Sequence, residues 1–339
     1  MKIEKNIEEI PVSQWRDFVE SHPAGQAFML PEMVNLFQKT PLFEPVVCAT
    51  FDDNNQMCGL LVAIVQKDYR GILGIMTSRS VIMGGPIVEN ENIELGKALL
   101  KAYLEIVKHK AIYSQFRNLS DMSWLDKVFL DLGFRYEEHL DFVHDLTVGE
   151  ECIISGIDKN KRANVKKSLN KGVEFKEISS KVVYDVCTDL IFGTYKRIGL
   201  PCPSKEYFDN AFDILYPAGI LKVFAAVFEE KIIGSRLELV CGTTIYDWWA
   251  GADEEQKNKY PNDFIPYHIL LWGQEHGFKK FDFGGAGKPN VPYGVREHKR
   301  RFGGDMVNYG RYEIVHKPLL MLIGKLGLPV YRFIKKKLK

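Results

Sequence analysis

The spacing of apolar residues predicts two series of helices and strands in the same order. In the first half, amphipathic helices over 12–21 and 31–40 are followed by apolar runs at 46–51 and 59–65. Because these runs flank the Asp/Asn-rich turn at 52–55, they predict a β-hairpin. A strand and a helix whose apolar side chains recur every three or four residues complete the series. These last two are marked by the turn Gly84-Gly85-Pro86 and by Leu95, Leu99, Ala102 and Ile106.

The second half repeats the order of helix, helix, hairpin, strand, helix and strand with few identical residues. Its predicted elements cover 181–197, 205–215, 223–228, 235–239, 244–249, a helix with Ile265, Ile269 and Trp272 on one face, and 281–283. The segment Ser235-Arg236-Leu237-Glu238-Leu239 alternates polar and apolar residues, which predicts a half-exposed strand. Strand–helix–strand units joined to hairpins predict an α/β protein, with two tandem domains that each hold a mixed, mostly antiparallel sheet flanked by helices.

A length of 339 residues also favours two domains. The predicted boundary gives an N-terminal domain of residues 1–150 and a C-terminal domain of residues 151–318. The segment 158–172 is rich in lysine and ends in glycine, which predicts a basic linker helix. This helix is either a solvated connection or a contact for an anionic group such as a diphosphate or an RNA acceptor end.

Residues 319–339 form a tail with an apolar start and a basic end. Gly324, Gly327 and Pro329 interrupt any single long helix, so the tail is too short to span a bilayer. Its composition predicts a basic amphipathic anchor on a membrane surface. The alternative is a terminal helix that packs on the second domain.

Charge balance, cysteine spacing and the length of apolar runs argue against several classes of function. The 45 basic and 44 acidic residues leave no global field, so any attraction to nucleic acid or membrane must come from local patches. The six cysteines have no metal-ligand spacing, which predicts neither a disulfide nor a metal site. Residues 1–10 lack an apolar signal region, and no run of 18 apolar residues occurs. We therefore expect a cytoplasmic protein, with peripheral contact to the inner face of the membrane through the tail.

Four motifs of the second half carry a resemblance. They are Lys259-Tyr260-Pro261-Asn262-Asp263-Phe264, Leu271-Trp272, Phe281-Asp282-Phe283-Gly284-Gly285 and His298-Lys299-Arg300-Arg301-Phe302-Gly303-Gly304. In this order they resemble the FemABX family, aminoacyl transferases that build peptidoglycan cross-bridges and read Phe-Lys-x-x-Phe-Gly-Gly at the last motif. With weaker matches in the first half, the resemblance runs from Trp15 to Glu313. It implies two tandem GNAT-like domains, where GNAT denotes the acetyltransferase fold.

The sequence also departs from the family. Histidine stands at 298 in place of phenylalanine, Arg301 replaces a small residue, and the coiled-coil arm of some members is missing. The chain is thus closer to the arm-less branch and to FemAB-like acetyltransferase relatives. Resemblance to the family implies transfer of an aminoacyl group from aminoacyl-tRNA to an amine of a nucleotide- or lipid-linked cell-envelope precursor, with no cofactor.

Two alternatives stay open. One is an acyl-CoA-dependent N-acyltransferase that acts on an amino sugar or polysaccharide intermediate. The other is an inactive tandem GNAT protein that binds RNA or membrane. The segment 256–262 lacks the glycines of an ordinary CoA pyrophosphate loop, which speaks against CoA as the donor.

An activated ester needs no protein nucleophile, but its transfer needs a cation near the developing oxyanion. By its match to the family lysine, Lys299 is the expected catalytic cation. His298 is either a general base or a structural residue. The remaining candidates contact substrate or, in the alternative, belong to a basic loop, to turns or to the core. They are Arg296, Arg300, Arg301, Tyr293, Asn262, Tyr260, Trp248, Gly284 and Gly285.

Overall fold

The computed structural model describes residues 2–324, apart from the side chain of Ile72. Its helices are α1 (Val12–Ser21), α2 (Pro31–Lys39), α3 (Gly71–Thr77), α4 (Ile93–Lys110), α5 (Asp126–Asp131), α6 (Glu150–Gly156), α7 (Lys159–Asn170), α8 (Lys181–Ile198), α9 (Lys205–Leu215), α10 (Pro261–Glu275) and α11 (Gly294–Arg300). Residues 318–324 are also helical.

The strands fall into two sheets. They are β1 (Lys2–Glu4), β2 (Phe43–Phe51), β3 (Met57–Gln66), β4 (Arg79–Met83), β5 (Ile87–Val88), β6 (Tyr113–Arg117), β7 (Arg135–Glu137), β8 (Leu140–Asp145), β9 (Glu174–Glu177), β10 (Leu221–Phe228), β11 (Lys231–Cys241), β12 (Thr244–Ala252), β13 (Lys280–Gly287), β14 (Asp305–Asn308) and β15 (Arg311–Val315).

The first unit holds the described residues up to Glu138 and those from Tyr309 onward. Its sheet has the order β1-β2-β3-β4-β6-β15-β7, with β5 beside β3. Only the β4–β6 pair is parallel among the described strands of this sheet, and α4 bridges it, as a parallel pair requires. Helix α4 begins after Asn92, whose side chain accepts hydrogen bonds from the backbone amides of Glu94 and Leu95. The helix buries Tyr103 in the apolar core of this unit.

The second unit, His139–Asn308, repeats this plan. Its strand order is β14-β8-β13-β12-β11-β10-β9, and the parallel pair β12–β13 is bridged by α10. Helix α10 packs Phe264, Ile265 and Ile269 into the core of this unit. On the other face of the sheet, the Ser235 hydroxyl donates to the Cys187 carbonyl of α8 at 2.9 Å. The central strand β11 is therefore covered on both faces.

The predicted repeat of helix, helix, hairpin, strand, helix and strand is confirmed in both halves, as α1 to β6 and as α8 to β13. The division of the chain differs from the predicted boundaries at 150 and 318. Strand β8 pairs with β13 and β14 of the second sheet, and β15 pairs with β6 and β7 of the first. These pairings join segments far apart in sequence, so local periodicity does not report them.

Of the predicted tail over 319–339, only residues 319–324 belong to the described part, where they extend a helix with exposed leucines at 319 and 322. The remainder of that prediction lies outside the described residues. Between residues 2 and 324, no helix combines the length and apolar content needed to cross a bilayer.

Candidate active site

The centre of the site is the buried ammonium group of Lys299 on α11, whose residue is only 8% exposed. Nζ donates to the carbonyl oxygens of Phe283, of Gly284 at 2.9 Å and of Gly285 at 3.3 Å. These carbonyls converge because β13 is irregular there: its register with β8 shifts twice, and Gly284 has a φ of 78° that favours glycine. Three carbonyls match the three donors of an ammonium group, so the cation is fixed in place.

Electrostatics around Lys299 follow from its burial. Loss of water lowers its pKa, and the carboxylates of Asp247 and Asp141 oppose that shift. The side chain also lies over the Phe283 ring, with Nζ 5.1 Å from the ring centroid. Because its donors face the backbone, the group acts on its surroundings through its charge.

Three buried carboxyl groups, on strands β8, β13 and β11, interact electrostatically with this cation. Burial raises the pKa of Asp141 on β8, of Asp282 on β13 and of Glu238 on β11. One oxygen of Asp282 accepts from the Gly284 amide at 3.0 Å. Within the described residues, the other Asp282 oxygen and both Glu238 oxygens have no hydrogen-bond partner. Unpartnered buried carboxyl groups are costly, and clusters of them mark functional sites.

The structure corrects the prediction that the strand around Arg236 and Glu238 is half-exposed. Arg236 is 6% exposed and Glu238 is 0% exposed. The Arg236 guanidinium pairs with Asp247 at 2.6 Å and covers the Phe283 ring at 5.3 Å from its centroid. Polar and apolar residues do alternate along this strand, but helices cover both faces of β11. Charged residues inside an otherwise apolar strand are the signal that could have revealed this part of the site.

His298 lies beside a second buried ion pair. The Lys161 ammonium pairs with Asp263, lies 3.0 Å from His298 Nδ1 and covers the Phe302 ring. Burial and the Lys161 charge lower the pKa of His298 to about 3. An ammonium only donates, so Nδ1 accepts and the neutral ring carries its proton on Nε2. These contacts favour a structural role for His298 over that of a general base.

The three arginines predicted to contact substrate have different partners in the structure. Arg301 pairs with Asp158, the cap of α7, at 2.6 Å, and Arg300 pairs with Glu297 on the exposed side of α11. Arg296 donates to the backbone carbonyls of Lys288 at 2.6 Å and of Pro289 at 3.1 Å, and so orders the preceding loop. The segment considered as a basic loop is thus a helix with one buried cation.

The basic segment predicted to be a helix is confirmed as α7, and it is anchored to the start of α10. The Asn164 amide donates to Asp263 at 2.8 Å, and the Ser168 hydroxyl donates to the Lys259 carbonyl at 2.6 Å. Tyr260 caps α10 in a left-handed conformation, with the Lys167 ammonium 5.6 Å from its ring centroid. The opposite face of α7 is exposed and basic. Its exposed cations include Lys159, Arg162 and Lys166.

The remaining predicted substrate-binding residues are exposed or half-buried and have no contact with Lys299 in the hydrogen bonds described above. Asn262 is exposed at the start of α10, and Tyr293 is 43% exposed. Trp248 is half-buried on β12, with its ring 5.7 Å from that of Tyr207. The structure therefore brings together Lys299, Gly284 and Gly285 in direct contact. Among the described residues, no group of three or more His, Cys, Asp or Glu side chains is arranged to hold a metal.

Comparison with known proteins gives a family match and several relatives. The model of the acetyltransferase (GNAT) domain family matches residues 159–300. The lipid II:glycine glycyltransferase of Staphylococcus epidermidis is 18% identical, and the match covers 91% of this chain and 92% of that protein.

Solved structures extend the likeness to the fold. The crystal structure of FemX has a TM-score of 0.74 at 17% identity, covering 96% of this chain and all of that one. A tandem GNAT protein from the clavulanic acid biosynthesis pathway has a TM-score of 0.59 at 10% identity, covering 93% and 98%. The tandem GNAT-like fold and the resemblance to FemABX are confirmed. The expected acyltransferase class agrees with these matches, since the family model describes an acetyltransferase domain and the Staphylococcus epidermidis relative is a glycyltransferase.

Proposed function

We propose that this protein transfers an aminoacyl group to an amine of a peptidoglycan precursor and forms an amide bond. The Staphylococcus relatives, which match nine-tenths of the chain, are lipid II:glycine glycyltransferases, and this similarity supports the reaction and a lipid II-type acceptor. The observation that carries the proposal is the fixed ammonium of Lys299, held at the bulged end of β13 among buried carboxyl groups.

The chemistry requires one charge and one proton acceptor. A neutral acceptor amine attacks the ester carbonyl, a C–N bond forms, and the C–O bond to the leaving hydroxyl breaks. The Lys299 charge stabilises the oxyanion of the tetrahedral intermediate. A buried carboxylate with a raised pKa takes the amine proton more readily than an ordinary one, and the leaving oxygen takes a proton in turn. Glu238, with both oxygens unpartnered in the described structure, is our choice for this role.

The donor we propose is aminoacyl-tRNA. The exposed cations of α7 offer a side-chain surface for a phosphate backbone. The start of α10 is a poor cradle for a CoA pyrophosphate, because Pro261 has no amide N–H and Asp263 places a carboxylate in the first turn. Support for the tRNA donor thus comes from the second unit alone.

A second candidate is transfer from an acyl-CoA to an amino sugar or polysaccharide amine. The match of the acetyltransferase domain model to residues 159–300 favours it. This candidate requires saturable CoA binding at the same end of β13, where the Lys299 charge would serve the thioester carbonyl in the same way.

The test is a transfer assay with purified full-length protein and a lipid II-type amine acceptor. Donors are mixed charged tRNA, the same tRNA uncharged, and acetyl-CoA, at fixed moderate salt. We expect an acceptor-linked amino acid only with charged tRNA, and loss of product with Lys299→Met. Product from acetyl-CoA, with no preference for charged tRNA, would replace the first proposal by the second. No transfer from either donor to any amine would contradict both.

A further inference from the structure

One end of the first-unit sheet carries two segments that the proposed chemistry does not use. Gln66 at the end of β3 pairs with Arg79 at the start of β4. Arg79 in turn is level with Tyr113 at the start of β6, and Tyr113 pairs with Val315 at the end of β15. Helix α3, which connects β3 to β4, and the helical residues 318–324, which follow β15, therefore leave the sheet at the same end.

Both segments expose large apolar side chains. In the α3 connection Leu73 is 60% exposed and Ile75 is 50% exposed, and beyond β15 Leu319 is 77% exposed. We name the set the apolar end. Its members are Tyr69, Leu73, Ile75, Leu319, Leu322 and Ile323. Scattered exposed leucines are ordinary, but two apolar segments at one end of a sheet mark an interaction surface.

The charges beside the apolar end are positive. Arg70 and Lys108 are exposed there, while the carboxylates of Glu44 and Asp68 are paired with Lys110 and Arg79. From Lys317 to the last residue the sequence has six lysines and one arginine and no Asp or Glu. Exposed apolar side chains with exposed cations beside them match the boundary between anionic headgroups and acyl chains.

We propose that the apolar end is a membrane-docking surface, which seats the first unit on an anionic lipid bilayer through α3 and the helix after β15 together. The apolar side chains enter the acyl boundary, and the flanking cations contact lipid phosphates. A protein partner would not require the excess of positive charge. The proposal is independent of the transfer reaction, because it concerns the bilayer itself and needs no acceptor lipid.

Vesicle co-sedimentation of the full-length chain tests it. Vesicles of phosphatidylcholine with phosphatidylglycerol are compared with vesicles of phosphatidylcholine alone, at low and high salt and without any substrate. We expect binding only to the anionic vesicles, weakened by salt. Ile75→Glu and Leu322→Glu should each lower the vesicle partition coefficient about tenfold or more, since each removes an apolar contact and adds a repelled charge.

The matched control is Ile93→Glu. Ile93 is 51% exposed, like Ile75, but it lies at the first residue of α4. The last residue of α4, Lys110, lies near the apolar end, so Ile93 is at the opposite end of the helix. An 18-residue helix is about 27 Å long, so Ile93 lies far from the proposed bilayer. This variant should bind vesicles like the unchanged protein, and its melting temperature verifies folding.

Three outcomes would overturn the proposal. They are equal binding of all variants, loss of binding in Leu322→Glu without loss in Ile75→Glu, and no vesicle binding with self-association instead. The second outcome would leave the tail as the whole anchor, and the third would assign the surface to a second copy. Since no transfer is measured, a negative result here leaves the proposed reaction standing.

Discussion

The two units share a topology but differ in what they bury. Within residues 2–324, the buried Lys, Arg, Asp and Glu side chains all belong to the second unit. They are Asp141, Lys161, Arg236, Glu238, Asp263, Asp282 and Lys299. Among the described residues of the first unit, the buried polar groups are uncharged. An example is the Tyr103 hydroxyl, which contacts Ser80 and Ser114 at 2.7 and 2.6 Å.

Stability alone does not explain the charged residues that the second unit buries. Burying a charge is expensive unless it is paired, and a unit that needed only stability would use apolar residues in its place. In the first unit β3 is apolar along nearly its whole length, whereas its counterpart β11 carries Arg236 and Glu238. The second unit tolerates the free-energy cost of these buried charges, and we infer that the reaction uses them.

The sharpest test of the comparison is Lys299→Met. Loss of the fixed charge should lower kcat about 10²–10³-fold, because the oxyanion loses its stabilising cation. Three carbonyls also lose their donor, so the melting temperature should fall. Transfer rate and thermal unfolding are measured on the same preparation.

Lys161→Met is the matched control, since Lys161 is a second buried lysine of the same unit, 4% exposed. It should lose stability but keep most of its kcat once folded. Equal loss of kcat in both variants would mean that Lys299 acts on the fold and not on the reaction.

Glu238→Gln should separate activity from stability. We expect kcat to fall about 10²-fold, because a proton acceptor is removed. The pKa of Glu238 is raised above 4.5 in the folded state, so its contribution to stability is full below that value and is lost as pH rises through the folded-state pKa. Glutamine cannot ionise, and the variant should therefore melt higher than the unchanged protein at neutral pH. The advantage should vanish towards acid pH in a series of melting curves.

An unchanged kcat in this variant would remove Glu238 from the mechanism. A lower melting temperature at neutral pH would contradict its description as an unpaired buried carboxyl. Glu297→Gln, on the exposed side of α11, is the control and should change neither quantity.

The Lys161–Asp263 pair should matter for stability alone. Its side chains are 5% and 12% exposed, and removal of either partner leaves an uncompensated buried charge. Asp263→Asn or Lys161→Met should each cost about 3–5 kcal/mol of unfolding free energy, and the double variant less than the sum. Urea unfolding of the four proteins measures the coupling. Additive losses would show that the two charges do not compensate each other.

The order of elements was predictable because helix and strand periods are local. Helices α1 and α9 lie where the apolar spacing placed them, and so do the two hairpins. Strand β8 was not predicted, since only its pairing with β13, across more than a hundred residues, makes it part of the second sheet. The domain boundary shifted for the same reason.

The candidate site was predictable in part. A resemblance pointed to Lys299, but no sequence pattern indicates that three carbonyls of β13 hold its ammonium group. For Glu238 the pattern was misleading, because alternation of charged and apolar residues is typical of a strand with one solvated face. In the tertiary structure both α8 and α10 cover β11. The charged residues of the alternating strand are therefore buried.

Tyr103→Phe in the first unit should have the smallest effect. The hydroxyl makes two hydrogen bonds to serines, and Ser114 in turn contacts the His316 ring at 2.7 Å. Loss of this network should cost about 1–2 kcal/mol of unfolding free energy, since a single buried hydrogen bond contributes about 1 kcal/mol. Because the first unit buries no charge within the described residues, kcat should stay unchanged. Urea unfolding and the transfer assay measure the two quantities. A loss of kcat with stability preserved would show that the uncharged core of the first unit also takes part in the reaction, and the contrast between the units would then no longer locate the chemistry.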